Sequence, residues 1–172
     1  VGNSLPVILP LKKLDNRLYA AFLANLSSIV LDYIVRTKVA GLNLNYFIIK
    51  QFPILSPDKY SNNDLGFIVP RVLELTYTAY DLKGWAEDLG YEAEPFTFNL
   101  ERRALLRAEL DAYYAKLYGL TRDELRYILD PADVMGADYP SETFRVLKNN
   151  DIKAYGEYRT GRLVLEAWDR LH

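Results

Sequence analysis

At 172 residues, 50% hydrophobic and 26% charged, the chain has the make-up of an ordinary globular protein with enough length for a real core. Zero cysteines exclude a disulfide framework, and a single histidine, at position 172, excludes a histidine-based metal cluster. A net charge of −2 argues against a uniformly basic nucleic-acid binder, but residues 1–55 hold six basic side chains against two acidic ones, while 56–172 hold 15 against 21.

That asymmetry lets the front third face phosphate and keeps most of the remainder away from it, although two solvated faces would give the same count. Leu5–Leu11 (LPVILPL) is short, β-branched and bracketed by prolines, which predicts an edge strand or extended segment. A helix is expected over about 17–38, capped by Asp15 or Asn16. Leu18, Phe22, Leu26, Ile29, Tyr33 and Ile34 recur at three- and four-residue steps, and Leu23 and Val30 widen the stripe. Arg17, Asn25, Ser27, Ser28, Asp32 and Arg36 interrupt it, so it holds no unbroken membrane-length apolar run. There is also no basic segment leading into a cleavable apolar stretch. Gly41 breaks the helix. The run Tyr46-Phe47-Ile48-Ile49 then reads as the centre of a strand over 45–52, lying beside the first and ended by Pro53.

SPDKYSNND (56–64) is a polar, turn-rich linker, and the main internal boundary is placed there. Beyond it the pattern is helical. Residues 65–89 carry Phe67, Val72, Leu75, Tyr80, Leu82 and Trp85, with Pro70 suited to the first turn and Gly84 a potential bend. A loop follows over 90–98. Asn99 caps a helix with the stripe Leu106, Leu110, Tyr113 and Leu117, closed by Gly119. Thr121 and Glu124 form a capping box for a short helix through Leu129, which Asp130-Pro131 stops. DPADVMGADYP reads as irregular. Ser141 opens another short helix, and Tyr158–Leu171 is a last one with Leu163, Val164, Ala167, Trp168 and Leu171 inward. The expected fold is therefore mainly α with a small β element (α+β), divided into 1–57 and a helical tail over 65–172.

The order of these pieces resembles a known family. LPVILPLK, then ANLSSIVLDYIVRTKVAG, then LNLNYFIIKQFPIL, is similar to the end of a target-recognition domain in adenine-specific DNA methyltransferases. These include single-chain type II restriction–modification enzymes. RAELDAYYAKLYGLTRDELRYILDP (107–131) and GEYRTGRLVLEAWDRL (156–171) resemble the helical tail that follows that domain in the family. The resemblance implies a C-terminal fragment, consistent with Val1 in place of Met, joined to an N-terminal methyltransferase domain. That missing part would bind S-adenosylmethionine and methylate the exocyclic amine of adenine in double-stranded DNA. A cytoplasmic protein active in phage defence, with no membrane contact, is expected on the same ground.

The catalytic motifs of such an enzyme are missing from these residues. None of the nine glycines forms Gly-x-Gly, and no Pro-Pro occurs, so neither the cofactor turn nor the Asn/Asp-Pro-Pro-Tyr/Phe loop is here. Walker A, Cys-x-x-Cys and His-Glu-x-x-His are absent too. Asp123-Glu124 lacks the following Glu-x-Lys of a nuclease site. Asp130, Asp133 and Asp138 lack the alternate-residue spacing of a calcium loop. The expectation is no catalytic residue, no bound cofactor and no metal in this chain. Fourteen Tyr and two Trp can stack on bases, but aromatics at helical spacing usually belong to a core.

The candidates for DNA contact are Arg36, Lys38, Asn43, Asn45 and Lys50. The cations suit phosphates, and an asparagine can pair with the major-groove edge of adenine. For Asn43 and Asn45 taken singly, a role in the turn after Gly41, where asparagine tolerates unusual backbone angles, is favoured over base reading. A second function class stays open: a non-catalytic helical module that binds protein through residues 17–38.

Overall fold

A computed structural model describes residues 8–39, 46–140 and 143–171. The chain is mostly helical, and among the described residues there is no strand. It divides into two compact units, one drawn from 8–27 and 31–97, the other from 28–30 and 98–171. The segment 56–64 thus lies inside the first unit.

In the first unit, α1 (Asn16–Ser27) starts where Asp15 accepts a hydrogen bond from the Arg17 N–H at 2.9 Å. The expected single helix over 17–38 is two helices. Ser28 is non-helical and fully buried, and α2 (Ile29–Lys38) leaves α1 at 54°. No single helix among the described residues is long and apolar enough to cross a membrane. The buried side of α1 also differs from the expected stripe. Ala20, Ala21, Ala24 and Asn25 are buried, whereas Leu18, Phe22 and Leu26 are only half-buried. Small residues let α1 approach α4 closely, which leaves the larger side chains at the rim.

The small β element is corrected. Residues 8–10 have no regular structure, with Ile8, Leu9 and Leu11 exposed, and Tyr46–Ile49 is a one-turn helix, α3. The rest of that element, 5–7 and 45, lies outside the described residues. Four aromatic and β-branched residues fit a strand or a helical turn equally well by pattern, and Lys50 N–H closes on the Tyr46 carbonyl at 3.2 Å here.

α4 (Asn62–Thr76) begins within the supposed linker, because Ser61 and Asp64 form a reciprocal capping box. Pro70 therefore sits in the helix interior, not the first turn. One turn earlier, the Phe67 carbonyl accepts from the Arg71 guanidinium at 2.8 Å. The expected helix over 65–89 ends at Thr76; a 3₁₀ turn (Tyr80–Leu82) leads into α5 (Lys83–Asp88). Tyr77 and Ala86 bury beside Leu73, and Tyr91 stacks on Phe96 at 4.9 Å between centroids.

The second unit is built on α6 (Leu100–Leu117), capped by Asn99, whose side chain accepts from Arg102 N–H at 2.9 Å. Leu106, Ala108, Leu110, Ala112, Tyr114 and Ala115 are buried, so most of its circumference is covered. At its end the Gly119 N–H bonds to the Lys116 carbonyl and Leu120 N–H to that of Ala115, with Gly119 at φ 73°. That double closure needs a left-handed residue, which glycine supplies without strain. α7 (Arg122–Leu129) carries the Thr121/Glu124 box on both sides. The stretch after it is not irregular throughout: Asp130 caps α8 (Pro131–Met135). α9 (Arg145–Tyr155) follows; Ser141 lies outside the described residues. α10 (Arg159–Leu171) packs along α6, with Leu163, Val164, Ala167 and Trp168 buried.

Candidate nucleic-acid interface

The basic residues singled out from the sequence lie at the end of α2 and just past α3. Arg36 and Lys38 occupy the last turn of α2 and are exposed, as is Lys50. A cation there also offsets the partial negative charge of a helix C-terminus, so part of their role is local. The Arg36 guanidinium pairs with Asp32 one turn back, Nε and Nη2 donating at 2.9 and 3.1 Å. An exposed pair of this kind is held by less than about 1 kcal/mol, so phosphate can compete for the arginine. Lys50 Nζ lies 6.0 Å from the Tyr46 ring centroid, at the outer limit of a cation–π contact. Asn43 and Asn45 lie outside the described residues.

What supports this region is a residue that sequence reasoning used only as a polar interruption. Asn25 is fully buried on α1, and its Oδ1 accepts from Leu55 N–H at 3.1 Å. The segment leaving α3 is thereby fastened to α1. A second missed residue is Asp111 on α6, whose carboxylate accepts from Ile29 N–H at 2.7 Å within the second unit. An anion at the first turn of a helix satisfies an orphan donor and complements its positive end. An aspartate 82 positions away along the chain leaves no local signal for that cap.

α3 itself presents Tyr46 and Phe47 to solvent, 64% and 77% exposed. Elsewhere in the first unit, Leu14, Leu18, Phe22, Ile54, Pro57 and Tyr60 help to line an apolar groove of about 350 Å³. The Tyr19 hydroxyl on its wall accepts from Leu14 N–H at 3.1 Å.

In the second unit several cations are paired with carboxylates, while Arg107, Lys153 and Arg170 are exposed. Arg122 is bidentate to Asp169 at 2.7 and 2.9 Å, and Arg126 binds both Asp123 and Asp133 at 2.9 Å. Arg162 lies between Glu157 and Glu166, and Lys148 pairs with Asp130. Arg162 holds the Glu157 carboxyl below its ordinary range, chiefly through the hydrogen bonds it donates. Burial, aided by the charges of Asp151, Asp130 and Asp111, pushes the Tyr158 phenol well above its usual value. The Arg122 and Arg162 pairs are about as exposed as Arg36–Asp32, so phosphate can compete for their cations as well. Asp130 and Asp133 face Lys148 and Arg126, and among the described residues no cluster of acidic or imidazole groups is arranged to hold a metal ion.

The chain matches no protein-family model, no curated protein and no solved structure.

Proposed function

We propose that this chain is the distal part of a DNA target-recognition region together with the helical tail of an adenine-specific, S-adenosylmethionine-dependent DNA methyltransferase or restriction–modification enzyme. It contributes DNA contacts and no catalysis. The observation that carries this reading is the placement of charge. Lys38 and Lys50 are exposed on either side of 40–45, within residues 1–55, where basic side chains outnumber acidic ones six to two. Lys38, Lys50 and, once released from Asp32, Arg36 contact phosphate; Asn43 or Asn45 reads a base edge. The cofactor and the flipped adenine belong to a preceding methyltransferase domain in a cytoplasmic enzyme.

The coding sequence upstream of Val1 tests this most simply. An Asn/Asp-Pro-Pro-Tyr/Phe loop after a glycine-rich turn is expected there, and an open reading frame without either contradicts the assignment. Calorimetry on the 172-residue chain alone is expected to show no binding of S-adenosylmethionine. Replacing a base-reading asparagine relaxes preference at one position of the site by about 1–3 kcal/mol, whereas replacing a lysine weakens binding to all sequences alike.

The apolar groove beside α1 favours a second reading, a helical module that docks another protein. Association through that groove would change little with salt, and DNA binding would change steeply.

A further inference from the structure

We infer that Phe47, with Tyr46 beside it, stacks on an unstacked base of bound DNA; this rests on the DNA-binding reading above and names the contact it would use. Both rings sit on the one-turn helix α3 and are mostly exposed, Phe47 at 77%. Single exposed apolar side chains are common and mean little. Two neighbouring aromatics beside a cation are a narrower case. Lys50, one turn on, has its ammonium 6.0 Å from the Tyr46 ring centroid, so an exposed cation lies beside the two rings. The Phe47 side chain carries no polar atom, and the Gln51 side-chain amide donates to the Phe47 carbonyl at 3.2 Å, which steadies the turn that presents the ring. The rings hold an exposed place in the front third, where basic residues outnumber acidic ones three to one. An aromatic face next to a free ammonium is the pairing that single-stranded or unstacked nucleic acid recruits: the cation meets the backbone and the ring meets a base. Because every base has a π-face, the contact adds affinity without fixing sequence.

The experiment uses the intact protein that carries this chain and two labelled probes: a mixed-sequence duplex, and the same duplex with one unpaired adenine. The unpaired base removes most of the unstacking cost, so it isolates the stacking contribution. Phe47→Ala is expected to lower affinity for the unpaired-base duplex about 5- to 150-fold while leaving the salt slope and the thermal midpoint unchanged. Phe47→Trp is expected to keep that affinity and to gain an emission signal quenched on binding. Lys50→Ala should instead lower the salt slope by about one. If Phe47→Ala binds like wild type while the lysine variant still lowers the slope, stacking is refuted and the DNA reading survives. If affinity falls only in step with the thermal midpoint, Phe47 is a packing residue and the inference fails. If neither wild type nor variants show salt-dependent binding to either duplex, the DNA reading itself fails.

Discussion

At the scale of single residues, the structure turns on a few polar groups that are buried and satisfied. Asn25 is one: it is inaccessible to solvent and holds the Leu55 N–H. Asn25→Ala leaves that donor without its acceptor, and a loss of about 1–3 kcal/mol is expected in denaturant unfolding. Gly161 is another constrained position. A Cβ there would lie 2.9 Å from Cδ1 of Tyr158. In an exposed helix Gly→Ala gains up to about 1 kcal/mol, but here the ring must move, and Gly161→Ala is expected to lose about 1–3 kcal/mol. A gain in the unfolding midpoint would show that the Tyr158 ring yields freely. Residues of this kind were poorly legible in the sequence. Nothing near Asn25 in the chain distinguishes a buried anchor from a surface amide, and the Asp111 cap on α2 is made by a residue far away.

At the scale of elements, legibility followed locality. The cap on α6, the capping box of α7, the glycine closure at 119 and the apolar spacing of α10 are written within a few consecutive residues, and the structure has them as read. Signals that depend on tertiary choice misled. The strand expected at 46–49 is a helical turn, and the bend between α1 and α2 falls at Ser28, a residue type that favours helix starts but is set here within a continuous apolar spacing. The box at Ser61 lies in polar surroundings that read as a linker, and it sets the start of α4 early enough to put Pro70 in the helix interior. The α7 box also gives a pH dependence. Glu124 accepts from the Thr121 N–H at 2.7 Å, and that bond, followed by the one from the hydroxyl, holds its carboxyl below the ordinary range. A lowered folded-state value means the stabilisation is present above the unfolded value near about 4.3 and is lost as pH falls through the folded one. In an acid titration followed by circular dichroism, wild type should therefore lead Glu124→Gln at neutral pH and converge on it below about pH 4. A constant gap across that window would mean the charge of Glu124 contributes nothing to the cap.

For the whole molecule, the basic excess belongs to residues 1–55 and not to either compact unit, each of which has a net charge of −1. Both units pair some cations with carboxylates, Arg17 and Arg36 in the first and Arg122, Arg126 and Arg162 in the second. Both leave others exposed, Lys38 and Lys50 in the first and Arg107, Lys153 and Arg170 in the second. The mainly helical class was legible from the sequence, since the 3.6-residue period runs through most of the chain. Of the five candidate contact residues, Arg36, Lys38 and Lys50 are exposed, and Arg36 is partnered by Asp32 in a way that i, i+4 spacing could have foretold. The central claim is that this surface meets the DNA backbone. Fluorescence anisotropy of the intact protein on duplex DNA across a salt series tests it most directly. The account predicts a steep fall of log affinity with log salt, reduced by about one unit of slope for each of Lys38→Ala and Lys50→Ala, with sequence preference unchanged. Affinity and slope that are the same in wild type and both variants, with the fold intact, would contradict it.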